Sequence, residues 1–232
     1  MGLFYKKKKP HKTRDGKIGL TLAAQGINVI IDIGANKGQS RDLYRQHGFK
    51  GEIISIEPLP TLQDALQAKA AKDPHWRVLE PLALGDKNGE VTINISTASD
   101  LSSLLPASKA LHEALPNTKI EDSVTVPMKT LDTLYSELED TLAGKKIFIK
   151  IDAQGAEKMI LQHGTQTLKK VHGLQVEMSL FPLYEGEALY DEILAILKNQ
   201  GFSPHMLVET NFSRRLNRQL QIDGIFYKGE YI

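Results

Sequence analysis

Residues 28–38 read NVIIDIGANKG, and this stretch decides the fold. Its branched apolar residues form a short continuous run, which is typical of a strand buried on both faces of a parallel sheet. Small residues follow, and then a helical pattern extends from about residue 38 to residue 47 and ends at Gly48. The stretch predicts a site for a nucleotide-like ligand, because the small residues let the backbone approach the ligand and the helix start offers unpaired N–H groups.

The turn differs from the glycine fingerprint of dinucleotide-binding proteins. That fingerprint needs glycine at position 36, where Asn36 tolerates left-handed backbone but adds bulk in the path of a pyrophosphate. Asp32, two residues before the first glycine, suits a ligand that carries an amino group and a positive sulfur. The residues that we expect to bind this ligand are Asp32, Gly34, Ala35, Asn36 and Gly38.

Four motifs follow one another along the chain: IDIGANKG at 31–38, SIEPLP at 55–60, ALGD at 83–86 and KIDAQGAE at 150–157. Together they resemble the FkbM-type methyltransferase family, and the resemblance extends from about residue 27 to residue 227. It implies a class I, Rossmann-like domain with S-adenosylmethionine (SAM) as the cofactor. It also implies O-methylation, often of a hydroxyl on a sugar, glycan or secondary metabolite.

The fold that the resemblance implies is a doubly wound α/β domain. Its sheet has seven mostly parallel strands in the order 3-2-1-4-5-7-6, with helices on both faces and an inserted β-hairpin. Strands one and four are neighbours at the topological switch point of such a sheet, so Asp32 and Asp152 would meet in one crevice. The seven predicted strands lie near residues 28–33, 51–57, 76–84, 147–152, 174–180, 206–209 and 222–227, and the hairpin strands near 90–95 and 123–126.

Two further segments would complete the cofactor site. Glu57 ends the second strand, where an acidic residue commonly accepts hydrogen bonds from both ribose hydroxyls; an ordinary strand-end charge is the alternative. Pro58 indicates a shaped loop after that strand. Ala83 and Leu84 would lie beside the adenine ring, as the resemblance implies.

Two acidic residues are the catalytic candidates. Asp152 ends the fourth strand and would either fix the cofactor or, with Glu177, accept a proton from a substrate hydroxyl. Glu177 interrupts an apolar strand, and a buried carboxylate is costly unless it is paired, so it is either a site residue or one partner of a structural ion pair. Glu157 needs only a structural explanation, because its charge complements a helix dipole. The sequence contains no zinc or calcium spacing, and no metal is expected.

The polar, serine-rich segment 96–122 lies between the two hairpin strands. A long insertion at the ligand-facing end is often a lid or a specificity loop, although surface decoration would explain its composition nearly as well. Its SSLL run resembles a segment of the family and favours the lid, with Ser102 and Ser103 against the substrate. Residues 181–186 form a second loop at the same end, from which Tyr184 would contact the substrate.

The bulk composition fits one domain. The chain has 232 residues, no cysteine and no apolar run long enough to span a membrane, so a single cytoplasmic domain over residues 18–232 is expected. Residues 1–17 hold seven basic residues and one acidic residue, a net charge of +6, which leaves −5 on the remainder. This basic arm is either a frayed, flexible terminus or a weak contact with anionic membranes through Lys6, Lys7, Lys8 and Lys9.

Two other functions stay open at this point. A non-catalytic module could bind SAM or its demethylated product, S-adenosylhomocysteine (SAH), in the same pocket. A nucleic-acid methyltransferase could use the basic arm, but the acidic remainder argues against nucleic acid as a partner. A small-molecule or glycan acceptor is therefore the expected partner, and no residue pattern indicates an oligomeric state.

Overall fold

The computed structural model describes residues 9–97, 101–116 and 119–229. After a short 3-10 helix at Pro10–Lys12, the α-helices are α1 (Arg14–Ala24), α2 (Gln39–Gln46), α3 (Pro60–Ala70), α4 (Lys109–Ala114), α5 (Leu131–Leu142), α6 (Glu157–Gln162), α7 (Thr165–Lys170) and α8 (Tyr190–Asn199). The strands are β1 (Val29–Ile33), β2 (Glu52–Ile56), β3 (Trp76–Val78), β4 (Ala83–Leu84), β5 (Gly89–Ser96), β6 (Ile120–Lys129), β7 (Ile147–Ile151), β8 (Gly173–Ser179), β9 (Phe202–Glu209), β10 (Phe212–Ser213), β11 (Arg218–Gln219) and β12 (Gln221–Lys228). Within the described ranges, no helix is both long and apolar enough to cross a lipid bilayer.

Seven strands form the central sheet in the order β3-β2-β1-β7-β8-β12-β9. The first five strands of this order, β3, β2, β1, β7 and β8, each pair in parallel with the next. Strand β12 runs antiparallel to both of its neighbours, β8 and β9. Counted by themselves in chain order, these strands have the order 3-2-1-4-5-7-6, so the predicted doubly wound, mostly parallel sheet is confirmed. The labels differ from the predicted numbers because β4, β5, β6, β10 and β11 belong to two smaller sheets.

Helices cover both faces of the central sheet, because alternate residues of each strand point to opposite sides. On one side, Ile31 and Ile149 pack with residues of α5, α6, α7 and α8. On the other side, Ile30 and Phe148 pack with residues of α1, α2 and α3. Both faces of β1 and β7 are therefore buried, as the continuous apolar run of the sequence predicts.

A row of polar side chains crosses the α1–α3 face near the carboxyl ends of the strands. Asp32 pairs in register with Ser55 on one side and with Lys150 on the other. Lys150 in turn pairs with Gln175, and Glu177 faces the same side two residues later. The amino-terminal half of this face is thus apolar and packs against helices, whereas this polar row lies at the end of the sheet where ligands bind.

The predicted third strand is two separate strands. Its first part is β3, at one edge of the central sheet, and its last part is β4, which pairs in parallel with β6. Pro81 lies between them and lacks the N–H that a sheet strand needs, so the chain leaves the central sheet there. The inserted hairpin is confirmed as the antiparallel pair β5–β6, which β4 extends to a three-stranded sheet.

Helix α1 begins inside the predicted basic arm. Thr13 caps this helix, since its Oγ1 accepts a hydrogen bond from the Gly16 N–H at 3.1 Å. The helix begins at Arg14, so it includes residues 14–17 of the predicted arm, and the division into an arm and one domain stays a prediction. Residues 1–8, which include three of the four consecutive lysines, lie outside the described residues.

Candidate active site

A cavity of about 600 Å³ opens at the carboxyl ends of the central strands, around the switch point between β1 and β7. Its volume is typical of small-molecule sites, and a doubly wound sheet binds ligands at this place. The predicted site residues that line it are Gly34, Ala35, Asn36, Glu57, Pro58, Ala83, Leu84, Ser102, Ser103, Asp152 and Glu177. Asp32, Gly38 and Tyr184 are not on its wall. Among the described residues, no group of three or more His, Cys, Asp or Glu side chains could hold a metal ion.

The turn after β1 brings backbone to the cavity. Gly34 has φ +76°, and a Cβ at this position would lie 1.8 Å from the Asp152 carbonyl oxygen. The N–H groups of Gly34 and Ala35 donate to the Ile56 carbonyl, at 3.0 and 3.1 Å. Asn36 follows with φ +46°. Glycine is required at position 34 for two reasons, the left-handed backbone and the lack of space for a side chain.

Glu57 connects this turn to the loop that follows β2. Its Oε2 accepts a hydrogen bond from the Asn36 N–H at 2.7 Å, and its Oε1 accepts one from the Leu59 N–H at 2.9 Å. Burial raises the pKa of the Glu57 carboxyl, although these two hydrogen bonds oppose the shift. Each carboxylate oxygen has a second lone pair, so Glu57 can accept further hydrogen bonds from a ligand in the cavity.

Apolar side chains form the wall next to Glu57. Ala83 and Leu84 of β4 line the cavity together with Pro58 and Leu59. The parallel pairing of β4 with β6 holds this wall in place. Such a wall suits the apolar face of a flat ring.

Asp32 does not line the cavity wall, and its contact with a ligand amino group stays a prediction. The residue is 0% exposed, and its carboxylate contacts two other members of the polar row. Oδ2 accepts a hydrogen bond from the Ser55 hydroxyl at 3.3 Å, and Oδ1 lies 3.3 Å from Nζ of Lys150. Asp32 points to the same face of the sheet as Lys150, whose ammonium contacts both Asp32 and Asp152.

Gly38 packs against Trp76, away from the cavity. Gly38 is the N-cap of α2 with φ +82°, and a Cβ there would lie 2.9 Å from the Trp76 ring. Trp76 is buried in the core, as its place in a strand predicts, and its Nε1 donates to the Ser55 hydroxyl at 3.0 Å. Gly38 thus packs α2 on the sheet, and its contact with the cofactor stays a prediction.

Lys150 lines the cavity, and the sequence did not identify it as a site residue. Its Nζ lies 3.3 Å from Asp32 Oδ1 and 3.3 Å from Asp152 Oδ2, and it donates to the Gly34 carbonyl at 3.2 Å. Burial alone would lower the pKa of Lys150, but Asp152 and Asp32 outweigh burial and raise this pKa, so the side chain stays an ammonium. One signal was present in the sequence: a lysine inside the apolar strand IFIKI needs an acidic partner.

Gln154 joins the two predicted catalytic carboxylates. It follows β7 with φ +50°, and its Nε2 donates to Asp152 Oδ1 at 2.9 Å and to Glu177 Oε2 at 2.8 Å. Gln221 Nε2 donates to the same Glu177 oxygen at 2.9 Å, and Oε1 has no donor among the described residues. Burial raises the pKa of Glu177 well above its ordinary value, and the nearby Asp152 and Asp223 raise it further. One amide group thus holds Asp152 and Glu177 together at the cavity.

Glu157 holds the turn that carries Asp152 and Gln154. Its Oε1 accepts a hydrogen bond from the Ala153 N–H at 2.7 Å, and its Oε2 accepts one from the Gly155 N–H at 2.9 Å. Burial raises the pKa of Glu157 to about 7, although these hydrogen bonds oppose the shift. A charge that complements the helix dipole is therefore an incomplete explanation, because the main contacts of Glu157 are with the turn.

The insertion and the loop at 181–186 both contact Gln154. The Ser103 hydroxyl donates to the Gln154 carbonyl at 2.5 Å. The neighbouring Ser102 bonds within the insertion instead, since its Oγ accepts a hydrogen bond from the Ser96 N–H at 3.1 Å. Tyr184 is 1% exposed, and its hydroxyl lies 2.8 Å from Gln154 Oε1. Tyr184 therefore supports Gln154, and its contact with the substrate stays a prediction. The lid function of the insertion stays a prediction.

The chain matches a known protein family over most of its length. The match, to the Methyltransferase FkbM domain, covers residues 32–204. Over 177 residues the chain is 28% identical to the 2-O-methyltransferase NoeI of Sinorhizobium fredii, and this alignment covers 73% of the chain and 70% of that protein.

Two solved structures share the fold. A Thermobifida fusca YX protein assigned as a methyltransferase has a TM-score of 0.54 at 11% identity, over 96% of this chain and 81% of the other. Magnesium protoporphyrin IX methyltransferase from Synechocystis PCC 6803, solved with bound SAH, has a TM-score of 0.50 at 11% identity, over 95% of this chain and 84% of the other. Identities this low show the fold alone. The family match, in contrast, spans most of the sequence, and the chain belongs to the FkbM methyltransferase domain family.

Proposed function

We propose that the protein is a SAM-dependent methyltransferase that transfers a methyl group to a hydroxyl of a sugar, glycan or secondary metabolite. The observation that carries the proposal is the pair Asp152 and Glu177, which one amide holds in a cavity that the turns after β1 and β2 also line. Membership in the family supports methyl transfer, and the name of the relative NoeI supports oxygen as the methylated atom.

The residues of the cavity fit SAM. Residues 34–36 present their backbone at the wall, where a ligand can approach closely. Asp152 offers a carboxylate for the amino group and the sulfonium of the cofactor, and the predicted role of the buried Asp32 at the amino group stays a prediction. Glu57 would accept hydrogen bonds from the ribose hydroxyls, and the apolar wall of β4 would contact the adenine. When bound, SAM supplies a methyl group that a positively charged sulfur activates.

Positioning contributes more than proton transfer in such a reaction. Aligning two bound reactants lowers the activation barrier by about 7–11 kcal/mol. A general base raises the rate by about 10²–10⁴, which corresponds to a barrier lower by roughly 3–5 kcal/mol. The main task of the chain is therefore to hold the acceptor oxygen in line with the methyl group. Gln154 serves this task, because its amide fixes the carboxylates of Asp152 and Glu177 at the cavity.

Glu177 is our candidate for the group that takes the proton of the acceptor hydroxyl. Both amide donors bond to its Oε2, which leaves Oε1 to accept the hydrogen of that hydroxyl. The raised pKa of Glu177 also makes this carboxylate a stronger base than an exposed glutamate. Asp152, which lies next to the Gly34 turn, would fix the cofactor instead.

Methyl-labelled SAM, incubated with the protein and a fractionated extract of the source cells, tests this function. We expect label in the glycan or small-molecule fractions. Glu177 acts as a base only without its proton, so the rate should rise with pH through the raised pKa of Glu177 and then level off. Glu177→Gln is expected to lower kcat about 10²–10⁴-fold and to remove this rise.

The control for this experiment is Glu185→Gln, which changes an exposed glutamate of the neighbouring loop and should leave both rate and pH dependence unchanged. Label that enters only RNA or protein would argue against the proposed acceptor class. A pH dependence that persists in Glu177→Gln would exclude Glu177 as the base. SAH binding without transfer to any fraction would support a non-catalytic binding module instead.

The expectations about partners and location rest on the sequence alone. Of the four consecutive lysines, the described residues include Lys9, which is exposed. A weak contact of these lysines with anionic membranes, the absence of a nucleic-acid partner and a cytoplasmic location stay predictions.

A further inference from the structure

We propose that the end of the cavity over β8 and β12 is the acceptor subsite, and that Thr210 and Phe212, in a loop that Asn211 fixes, bind a neutral sugar ring there. This inference rests on the proposed function and deepens it, since it assigns the class of acceptor to named residues of the chain.

The strand order divides the cavity into two ends. The turn after β1 and the loop after β2 form the first end, which contains Glu57. Strand β7 lies in the middle, and Asp152 follows it. Strands β8 and β12 form the second end, where Gln175 and Asp223 line the wall. The cofactor of the proposed function occupies the first end, so the second end, next to Glu177, is left for the acceptor.

Residues 210–213, which follow β9 and include β10, all line the second end. Hydrogen bonds to the segment at the start of β12 fix this loop. Asn211 Nδ2 donates to Gln221 Oε1 at 2.6 Å, and the Asn211 carbonyl accepts a hydrogen bond from the Leu220 N–H at 2.8 Å. A loop held in this way is preorganised, and it loses little conformational freedom when a ligand binds.

Thr210 presents an unused hydroxyl at this end. Its Oγ1 is buried, yet it has no hydrogen-bond partner among the residues that the structure describes. A buried hydroxyl without a partner costs free energy, so its place on the wall of a cavity points to a polar atom of a ligand. A ligand hydroxyl matches it well, because each of the two hydroxyls can both donate and accept.

Phe212 adds an aromatic surface beside that hydroxyl. The residue is 55% exposed, and it lines the cavity. Its pairing with Gln219 in the β10–β11 hairpin uses only the backbone, so the fold does not account for a large aromatic ring at this position. A sugar ring would match the site, since it has C–H groups on its faces for the aromatic ring and hydroxyls at its edge for Thr210.

The charges at this end favour a neutral ligand. Asp223 and Glu177 contribute two carboxyls, and the Arg14 guanidinium lies 3.3 Å from Asp223 Oδ2. Lys150 is already paired with two carboxylates. The second end therefore lacks the excess positive charge that a phosphate or carboxylate ligand needs. The three arginines in and next to the β10–β11 hairpin are exposed and are not on the cavity wall.

Saturation-transfer NMR on the full chain with SAH bound tests the subsite. The probes are a panel of methyl glycosides and, as the anionic counterpart, glucose 6-phosphate. We expect at least one methyl glycoside to bind, and glucose 6-phosphate to bind no better than it. Thr210→Val keeps the shape of the side chain without the hydroxyl, and Phe212→Ala removes the ring; each is expected to weaken glycoside binding about tenfold.

The matched controls are Thr92→Val, at an exposed threonine of β5, and Leu207→Ala, at an exposed apolar residue of β9. Both should leave glycoside binding unchanged, and all variants should bind SAH with the affinity of the native chain. SAH binding without glycoside binding, equal glycoside binding in every variant, or tighter binding of glucose 6-phosphate would overturn the subsite and leave the proposed function standing. A native chain that does not bind SAH would overturn the proposed function, and this inference with it.

Discussion

At the scale of single residues, the geometry of the site requires glycine at position 34. Its φ of +76° favours glycine, and a Cβ would lie 1.8 Å from the Asp152 carbonyl oxygen. Gly48 has a similar φ of +91°, but nothing lies within 4 Å of a Cβ there. Alanine at position 48 would therefore cost only backbone strain, whereas alanine at position 34 would cost backbone strain and a steric clash.

Gly48→Ala is expected to lower the free energy of unfolding by about 1 kcal/mol, the strain of an alanine in left-handed backbone. Gly34→Ala is expected to cost several times as much and to weaken SAH binding, because the Asp152 carbonyl and the turn must move apart. Urea denaturation measures the stability of both variants, and calorimetry measures their affinity for SAH. Equal losses in the two variants would show that space at position 34 is not limiting.

The sequence predicts some of these residues and not others for a physical reason. Glu57, Asp152 and Glu177 stand at or near the ends of buried strands, where the pattern places them at the ligand-facing edge, and all three line the cavity. Asp32 lies on the same face as Lys150, whose ammonium contacts its carboxylate, so the strand position alone does not place Asp32 on the cavity wall. The sequence did not identify Lys150 as a site residue. A charge inside a strand needs a partner, and no local pattern shows which neighbouring strand supplies it.

At the scale of elements, Lys150 links the end of β1 to the end of β7. Its ammonium group lies 3.3 Å from both Asp32 and Asp152, and it donates to the Gly34 carbonyl. The group is buried, so these contacts replace the water that the charges lose on folding. Removal of one partner leaves an uncompensated buried charge, whereas removal of both partners is much less costly.

Lys150→Met is therefore expected to lower the free energy of unfolding by about 3–5 kcal/mol, because Asp32 stays buried without its cation. Asp32→Asn in the Lys150→Met background is expected to recover much of this loss. Urea denaturation of the single and double variants measures the coupling. Lys146→Met, at an exposed lysine just before β7, is the control and should stay within about 0.5 kcal/mol of the native chain. Additive losses would mean that Asp32 and Lys150 do not act as a pair.

Long elements are predictable in this chain, and short ones are not. Residues 131–142 read as a helix and form α5, because apolar residues recur there at helical spacing over three turns. Helix α7 has 6 residues, and β10 and β11 have 2 each, which is too few to show a period. Pro81 marks the break between β3 and β4, but the pairing of β4 with β6, a strand far along the chain, is not contained in local sequence.

At the scale of the whole molecule, the strand order brings distant residues to one site. Glu57, Asp152, Glu177 and Asp223 come from β2, β7, β8 and β12 or the loops after them, and all four line one cavity. Periodicity identifies strands but not their neighbours, so the predicted order depends on the family resemblance. The acceptor end was not predictable, because residues 210–213 carry no motif and reach the cavity only through the pairing of β9 with β12.

The central claim is that this cavity binds the adenosine part shared by SAM and SAH, with Glu57 at the ribose, and titration calorimetry with SAH tests it most directly. We predict saturable binding to the native chain. Glu57→Ala should bind at least about tenfold more weakly, because it removes a charged hydrogen-bond acceptor. Glu52→Ala, at the half-buried start of the same strand and outside the cavity lining, should bind like the native chain. No binding to the native chain, or equal affinity in Glu57→Ala, would contradict the claim.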